Sequence, residues 1–192
     1  MQNSPPLIYC YINNFNLAEL SRLSNNINLI YRNYNEKYDI NTILKLREFS
    51  RKTKRKLFLS NNIKLALNLK LDGVYIPSFN KTLNYCYIYN KPQRFEIIGS
   101  AHNIREIKLK ELQGCNEIFL SPIFKVQKTK EFLDIFKFNF YANQSKKRII
   151  ALGGLNENNY KRLRSTNSAG FASISWAKKN GLIKIRPFLK IK

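Results

Sequence analysis

Short apolar segments recur along the chain, and stretches with helical spacing separate them. Within each segment the apolar residues are continuous rather than alternating, which is typical of strands buried on both faces. The pattern predicts eight strands, at residues 7–12, 27–32, 56–59, 73–76, 96–99, 117–120, 148–152 and 171–175. Because strands and helices alternate and eight parallel strands favour closure, we predict the α/β class and a compact (β/α)8 TIM barrel.

Polar residues mark the starts of the predicted helices: Asp39, Asn61 or Asn62, Asn103 and Asn156. Asn103 with Glu106 has the spacing of a capping box, in which two side chains bond to free backbone amides. The helical spacing assigns two sets of side chains to buried faces: Ile40, Ile43 and Leu44, then Ile104, Ile107 and Leu112. Residues 79–95 are less regular, so we expect a truncated helix or a loop there. For residues 125–147 we expect a mobile loop followed by a short helix near residues 132–138. Since no linker divides the chain, we predict one domain over residues 1–192.

The last two predicted strands are followed by residues that favour a phosphate site. Segment 148–152 runs into Gly153 and Gly154, and Asn156 follows as a helix cap. Glycines let the backbone approach a ligand closely, and free amides at a helix start attract phosphate. Segment 171–175 ends in the hydroxyl of Ser175. Because the loops after strands 7 and 8 of such barrels commonly bind phosphate, we predict a phosphorylated small molecule as the ligand.

The chain is strongly basic, with a formal net charge of +22 from 34 Lys+Arg against 12 Asp+Glu. One interpretation is an anionic partner, such as a phosphate ester, a nucleic acid or a membrane surface. The other is a compositional bias, because Lys, Asn and Ile are abundant throughout and the charge is spread over most segments. No nucleic-acid-binding module is recognisable, so we expect phosphorylated small molecules rather than nucleic acid as partners.

The cysteines and the apolar content bear on the compartment. Cys10, Cys86 and Cys115 lie far apart without metal-type spacing, so we expect free thiols in a reducing compartment. No segment approaches the ~18 apolar residues that a membrane span needs. The first residues lack the basic start and apolar run of a signal peptide. We therefore expect a cytoplasmic protein without a membrane partner, and we leave an oligomer open.

Five blocks of sequence resemble one known family in their order and spacing. They are residues 62–67 (NIKLAL), 71–76 (LDGVYI), 97–103 (IIGSAHN), 118–124 (IFLSPIF) and 151–154 (ALGG). Together these blocks resemble the thiamine phosphate synthase/TenI family of β/α barrels over nearly the whole chain. The resemblance implies a synthase that joins hydroxymethylpyrimidine diphosphate to thiazole phosphate and releases pyrophosphate. The alternatives that it implies are a TenI-like thiazole tautomerase and a thiazole-phosphate-binding protein without catalysis.

The resemblance also assigns roles to individual residues. Arg32 stands where the family has an arginine that contacts the diphosphate, and Ser100 corresponds to a serine after strand 5. Three residues after strands 7 and 8 correspond to the site for the thiazole phosphate: Gly153, Gly154 and Ser175. In the loop after strand 6, the family places Thr and Lys on the diphosphate. Lys128 and Lys130 are the candidates for this role here, and the alignment of this loop with the family stays open.

The implied metal site departs from the family. Its synthases neutralise the leaving diphosphate with Mg²⁺ held by acidic residues, but the corresponding positions after strands 3 and 4 are Asn61 and Asn80. Mg²⁺ usually binds through one or two carboxylates plus substrate phosphates, and two amides offer no charge. The diphosphate itself could still carry Mg²⁺ into the site, but the protein would hold the ion weakly. Two interpretations stay open. Lysines replace the metal as the groups that neutralise the diphosphate, or the diphosphate half of the site has been lost.

Two further residues are candidates for the pocket. His102 follows strand 5 on the expected catalytic face, where it is either a general acid or base or a cap of the next helix. Tyr75 stands where many relatives of the family have a histidine after strand 4. We expect Tyr75 at the end of the barrel, lining the pocket.

Overall fold

The computed structural model describes residues 6–33, 38–83, 91–127, 131–173 and 176. Eight parallel strands form a closed barrel in chain order. The strands are β1 (Leu7–Ile12), β2 (Ile27–Tyr31), β3 (Leu57–Ser60), β4 (Gly73–Ile76), β5 (Glu96–Ala101), β6 (Glu117–Leu120), β7 (Arg148–Leu152) and β8 (Gly170–Ser173). The helices are α1 (Leu17–Ser21), α2 (Ile40–Lys52), α3 (Ile63–Asn68), α4 (Ile104–Leu112), α5 (Asp134–Ala142) and a 3-10 helix at Tyr160–Ser165. The predicted α/β class and (β/α)8 barrel are confirmed.

The strand bounds agree closely with those predicted from the apolar segments. β1, β4, β6 and β7 begin and end at the predicted residues. β2 ends one residue early, β3 is displaced by one residue, and β5 continues two residues further than predicted. β8 begins one residue early, and residues 174–175 of the predicted segment lie outside the described residues.

Barrel closure depends on a close approach between the first and the last strand. Gly170 of β8 pairs with Leu7 of β1. A Cβ at residue 170 would lie 1.9 Å from the Leu7 carbonyl oxygen. A larger residue would therefore separate the two strands, so a glycine is required at this seam.

Polar caps position three helices, as the sequence predicts. In Asp39, Asn62 and Asn103, a side-chain oxygen accepts a hydrogen bond of 3.0 Å from a backbone amide in the first turn of the helix. Asn156 instead caps a turn that leads into the 3-10 helix. Residues 77–83 and 91–95, the described parts of the connection between β4 and β5, contain no helix. None of the helices in the described ranges is long and apolar enough to span a membrane.

Two apolar side chains that were expected in the core are exposed instead. Ile40 is the first residue of α2 and is 41% exposed, and Leu112 is the last residue of α4 and is 73% exposed. Leu112 lies about 140° around the helix axis from Ile107, so the two residues do not share a face. The buried face of α4 is formed by Ile107 and Lys110.

Aromatic side chains fill the interior of the barrel. The inward-facing rings of Tyr9, Tyr11, Phe58, Tyr75 and Phe119 pack edge to face, with centroids 4.9 to 6.4 Å apart. Each such pair contributes about 0.5–1.5 kcal/mol beyond the burial of its apolar area. A second apolar layer lies between the outer side of the strands and the helices. Because aromatic rings occupy the interior, we expect ligands to bind at a rim of the barrel.

Charged side chains close the rim at which the strands begin. The buried carboxylate of Glu117 accepts hydrogen bonds from the Tyr9 hydroxyl and from Nη2 of Arg148, the latter at 2.7 Å. Lys56 and Glu96 form an ion pair on the same rim. Burial raises the pKa of the Glu117 carboxyl, although its contacts with Tyr9 and Arg148 act in the opposite direction. Active sites of β/α barrels lie at the opposite rim, where the strands end.

Candidate functional site

The rim at the carboxyl ends of the strands gathers most of the predicted site residues that the structure describes. Ser100 follows the inward-facing Ile98 by two positions, so its side chain also faces into the barrel. The Arg32 guanidinium, directly after β2, lies 4.8 Å from the centroid of the Tyr11 ring. Tyr75 packs against the same ring, with centroids 5.5 Å apart, and is 3% exposed. Tyr75 therefore forms the floor of the site, beneath Arg32 and Ser100.

The glycine pair after β7 has the backbone that the sequence predicts for a phosphate loop. Gly153 and Gly154 have φ values of +93° and +70°, in the left-handed region that disfavours residues with a Cβ. A Cβ at residue 154 would also lie 2.4 Å from the Phe124 carbonyl oxygen, and one at residue 153 would lie 2.8 Å from Cβ of Pro122. The pair therefore packs directly against the loop after β6.

The amide groups of this loop are available to an anion. Within the described ranges, the N–H groups of Gly153 and Gly154 donate no hydrogen bond. Asn159 Nδ2 donates to the Gly154 carbonyl at 2.7 Å, and Asn156 Oδ1 accepts from the amides of Asn158 and Asn159 at 2.9 and 3.2 Å. These contacts tie the carbonyl side of the loop to the turn that follows it. Unpaired amides in a fixed loop of this kind are suited to bind phosphate.

The two asparagines that correspond to the family's metal positions are in direct contact. Asn80 Nδ2 donates to Asn61 Oδ1 at 2.7 Å, across the ends of β3 and β4. The Asn61 backbone, with φ of +59°, is held by a hydrogen bond of 2.8 Å to the Tyr75 carbonyl. Asn80 Oδ1 accepts a hydrogen bond from the Thr82 amide at 3.0 Å. The structure thus brings together two positions that lie 19 residues apart in sequence.

This asparagine pair does not fit a magnesium ion. Both side-chain oxygens already accept a hydrogen bond from an N–H group, and neither residue carries a negative charge. Magnesium is a hard cation that usually binds through carboxylates, waters and substrate phosphates. In the part of the chain that the structure describes, no cluster of three or more His, Cys, Asp or Glu residues could hold a metal.

His102 bridges two loops of the rim. Its Nε2 lies 3.1 Å from the Ser78 hydroxyl after β4, and its Nδ1 lies 2.8 Å from the Ser121 carbonyl after β6. A carbonyl can only accept, so Nδ1 carries the proton in this arrangement. Asn103, rather than His102, provides the side-chain cap of α4. A role for His102 as a general acid or base stays a prediction.

A buried lysine beneath the rim was not anticipated from the sequence. Lys110 is fully buried, and its Nζ donates to the carbonyls of Pro77 and Asn80 and to Oε1 of Gln113, at 2.8, 2.9 and 2.7 Å. Burial lowers the pKa of this ammonium group to about 8. Gly99 leaves the space for its stem, because a Cβ there would lie 2.9 Å from Lys110 Cδ. The available signal was the three-residue spacing from Ile107 on the buried face of α4.

Three predicted site residues lie outside the described residues: Lys128, Lys130 and Ser175. Their assignment to the diphosphate and to the thiazole phosphate therefore stays a prediction. Of the described residues next to them, Phe124 contacts the glycine loop, and β8 ends beside β7.

A barrel with a glycine loop after its seventh strand and polar side chains at the same rim defines a class of phosphate-binding β/α-barrel proteins. The match to a family model identifies the particular family. The model for thiamine monophosphate synthase, TMP-TENI, matches residues 24–177, and the chain belongs to this family.

Individual relatives agree with this family. The chain is 28% identical over 132 residues to a "Putative thiamine-phosphate synthase 2" from Aquifex aeolicus, a match that covers 68% of this chain and 70% of the relative. It is 29% identical over 129 residues to a "Thiamine-phosphate synthase" from Prochlorococcus marinus, covering 65% of this chain and 36% of the longer relative. The fold is similar to that of a thiamine phosphate pyrophosphorylase from Pyrococcus furiosus, with a TM-score of 0.70, 16% identity and coverage of 91% of each chain.

Proposed function

We propose that this protein is a thiamine phosphate synthase that joins hydroxymethylpyrimidine diphosphate to thiazole phosphate. In this reaction the bond between the pyrimidine methylene carbon and the diphosphate oxygen breaks, and its electron pair leaves with pyrophosphate. The thiazole nitrogen then supplies the electron pair for the new carbon–nitrogen bond. The observation that carries the proposal is the location of Gly153, Gly154 and Arg32 on one rim of a barrel that belongs to this family.

Each half of the site suits one of the two substrates. The amides of Gly153 and Gly154, which donate no hydrogen bond to any described residue, suit the thiazole phosphate, to which Ser175 would add a hydroxyl. The guanidinium of Arg32 suits the diphosphate, because arginine binds phosphate oxygens in a bidentate manner. The inward-facing hydroxyl of Ser100 lies at the same rim, one residue before the end of β5.

The proposed reaction proceeds without a protein-bound metal site. Thiamine-phosphate synthases generally depend on Mg²⁺, but Asn61 and Asn80 do not fit the ion. Positive charge held close to the leaving group stabilises the charge that develops there. We therefore assign this task to Arg32, Lys128 and Lys130, which are the cations after β2 and β6.

The amide pair also favours a second candidate function. If the diphosphate half of the site is lost, the glycine loop is sufficient for a TenI-like thiazole tautomerase or for a non-catalytic protein that binds thiazole phosphate. Both candidates use phosphorylated small molecules. We also propose a cytoplasmic location, which is supported by the buried free thiols of Cys10 and Cys115.

The proposal is tested by incubating the protein with both phosphorylated precursors, with Mg²⁺ or with EDTA, and measuring thiamine phosphate. We expect product in both conditions, and a loss of about 100-fold in kcat/KM in Arg32→Ala because a cation at the leaving group is removed. Arg22→Ala, at an exposed position after α1, is the matched control. Absence of product, with isomerisation or binding of the thiazole phosphate alone, would support the second candidate instead.

A further inference from the structure

Two buried side chains of α4 and its C-terminal turn bind the loop after β4 from beneath. Lys110 Nζ donates to the carbonyls of Pro77 and Asn80, and Gln113 Nε2 donates to the carbonyls of Asn80 and Thr82, at 3.0 and 2.9 Å. Lys110 and Gln113 are joined by their own hydrogen bond of 2.7 Å. We name these two residues the Lys110–Gln113 clamp. The Asn80 carbonyl accepts from both members, so the backbone at residue 80 is fixed from two directions.

We propose that the Lys110–Gln113 clamp is a positioning element of the active site, which holds the Asn80 side chain against Asn61 at the rim. The proposal rests on the proposed function, because Asn61 and Asn80 stand at the positions that serve the leaving diphosphate in the synthases of this family. The Asn80 backbone is bound by the clamp, whereas its side chain extends to Asn61 at 2.7 Å and to the Thr82 amide at 3.0 Å. A displacement of this loop would therefore separate the asparagine pair.

The local architecture explains why such a clamp is needed. A connection between parallel strands usually contains a helix, which packs on the sheet and anchors the loop that precedes it. No helix occurs in the described parts of the β4–β5 connection, residues 77–83 and 91–95. Gly99 of β5 opens the space in which the Lys110 stem runs beneath the loop. The clamp thus anchors residues 77–83, a described part of this connection that contains no helix.

The chemistry of the lysine agrees with a positioning role. An ammonium group has three N–H donors, and Lys110 has three oxygen acceptors, so the charge is buried with all its donors satisfied. Burying a lysine without such partners is strongly unfavourable. A simple packing role would be filled equally well by an apolar residue, whereas holding three loop and side-chain oxygens requires a donor at this position.

The test compares Lys110→Met and Gln113→Leu with Lys108→Met, a control on the exposed face of the same helix. Nuclear magnetic resonance of the side-chain amides reports the Asn61–Asn80 contact without any need for activity. We expect shifted or broadened signals for both asparagines in the two clamp variants and unchanged signals in the control. For the reaction, we expect kcat/KM for the pyrimidine diphosphate to fall by about 10- to 100-fold, because misplacement by about 1 Å has effects of this size.

The affinity for thiazole phosphate, measured by calorimetry, should stay unchanged in the clamp variants, because the glycine loop lies on the other side of the rim. Asparagine signals like those of the wild type in both clamp variants would overturn the proposal. If these variants do not fold, hydrogen exchange of the Gln113 side-chain amide in the wild type decides, because this NH2 group donates to the carbonyls of Asn80 and Thr82. Slow exchange of these protons supports the clamp, and free exchange overturns it. Absence of thiamine phosphate formation by the wild type would refute the proposed function, while the resonance and exchange measurements still decide the clamp.

Discussion

A methyl group at residue 154 would meet the backbone of the neighbouring loop. In Gly154→Ala the new Cβ would lie 2.4 Å from the Phe124 carbonyl oxygen and 2.7 Å from the Lys125 carbonyl oxygen, while φ is +70°. Both contacts are with backbone atoms, so no side-chain rotation relieves them. We therefore expect the substitution to displace the glycine loop and to lower both stability and affinity for thiazole phosphate.

The size of both effects follows from the contacts. The left-handed backbone costs about 1–2 kcal/mol for a residue with a Cβ, and overpacking adds about 1–3 kcal/mol. To reach ordinary contact at 3.4 Å, the loop must move by about 1 Å. Two amides that donate to phosphate would then lose their geometry, and each such hydrogen bond contributes about 1.5–3 kcal/mol. A loss of about 3 kcal/mol corresponds to a dissociation constant about 100-fold higher.

The assay is titration calorimetry with thiazole phosphate, accompanied by thermal unfolding. Gly114→Ala is the matched control, since Gly114 has φ of +76° but lies in the turn after α4, at the rim where the strands begin. We expect both variants to unfold at lower temperature, and Gly154→Ala alone to lose affinity. Wild-type affinity in a folded Gly154→Ala variant would refute the assignment of this loop to phosphate.

Two other changes test the opposite rim and the metal positions. Asn61→Asp combined with Asn80→Asp puts two carboxylates where the two amides are now 2.7 Å apart, so we expect Mg²⁺ to bind and product formation to depend more strongly on Mg²⁺. An unchanged response to Mg²⁺ would contradict the assignment of these positions to the metal site of the family. Burial raises the pKa of Glu117, so the folded protein keeps the Glu117 proton at pH values at which the unfolded chain has lost it. The free energy of unfolding therefore falls as pH rises through this window. Urea unfolding between about pH 4 and pH 8 should show this fall in the wild type and a smaller fall in Glu117→Gln. The same dependence of unfolding free energy on pH in both proteins would contradict a raised pKa at Glu117.

The strands could be predicted because burial on both faces leaves a direct trace in the sequence. Continuous apolar runs such as residues 118–120 and 149–152 are too short for a buried helix and recur between helical stretches, which favours strands buried on both faces. The segment after Asn156 was less predictable. Its apolar residues Tyr160 and Leu163 are three positions apart, which fits a 3-10 helix as well as an α-helix.

The left-handed glycine pair after β7 could be predicted because it directly follows a strand, at the rim where barrel sites form, and its binding of phosphate stays a prediction. The positions of Asn61 and Asn80 followed from the family resemblance, but their contact did not. Lys110 could not be predicted, since a lysine in a helix is usually solvated and its burial depends on Gly99 and on the loop above it. The same holds for Glu117, which begins β6. Its contact with Tyr9 crosses the barrel interior between residues 108 positions apart, so no local pattern indicates it.

The seam at Leu7 and Gly170 also governs the order in which the polypeptide acquires its structure. All other neighbouring strands are consecutive along the chain, whereas this pair joins the first to the eighth. Contacts so distant in sequence form late, and until then β1 presents an unpaired edge to which other chains can add. A substitution at Gly170 that keeps the two strands apart would therefore leave an open sheet with two unpaired edges.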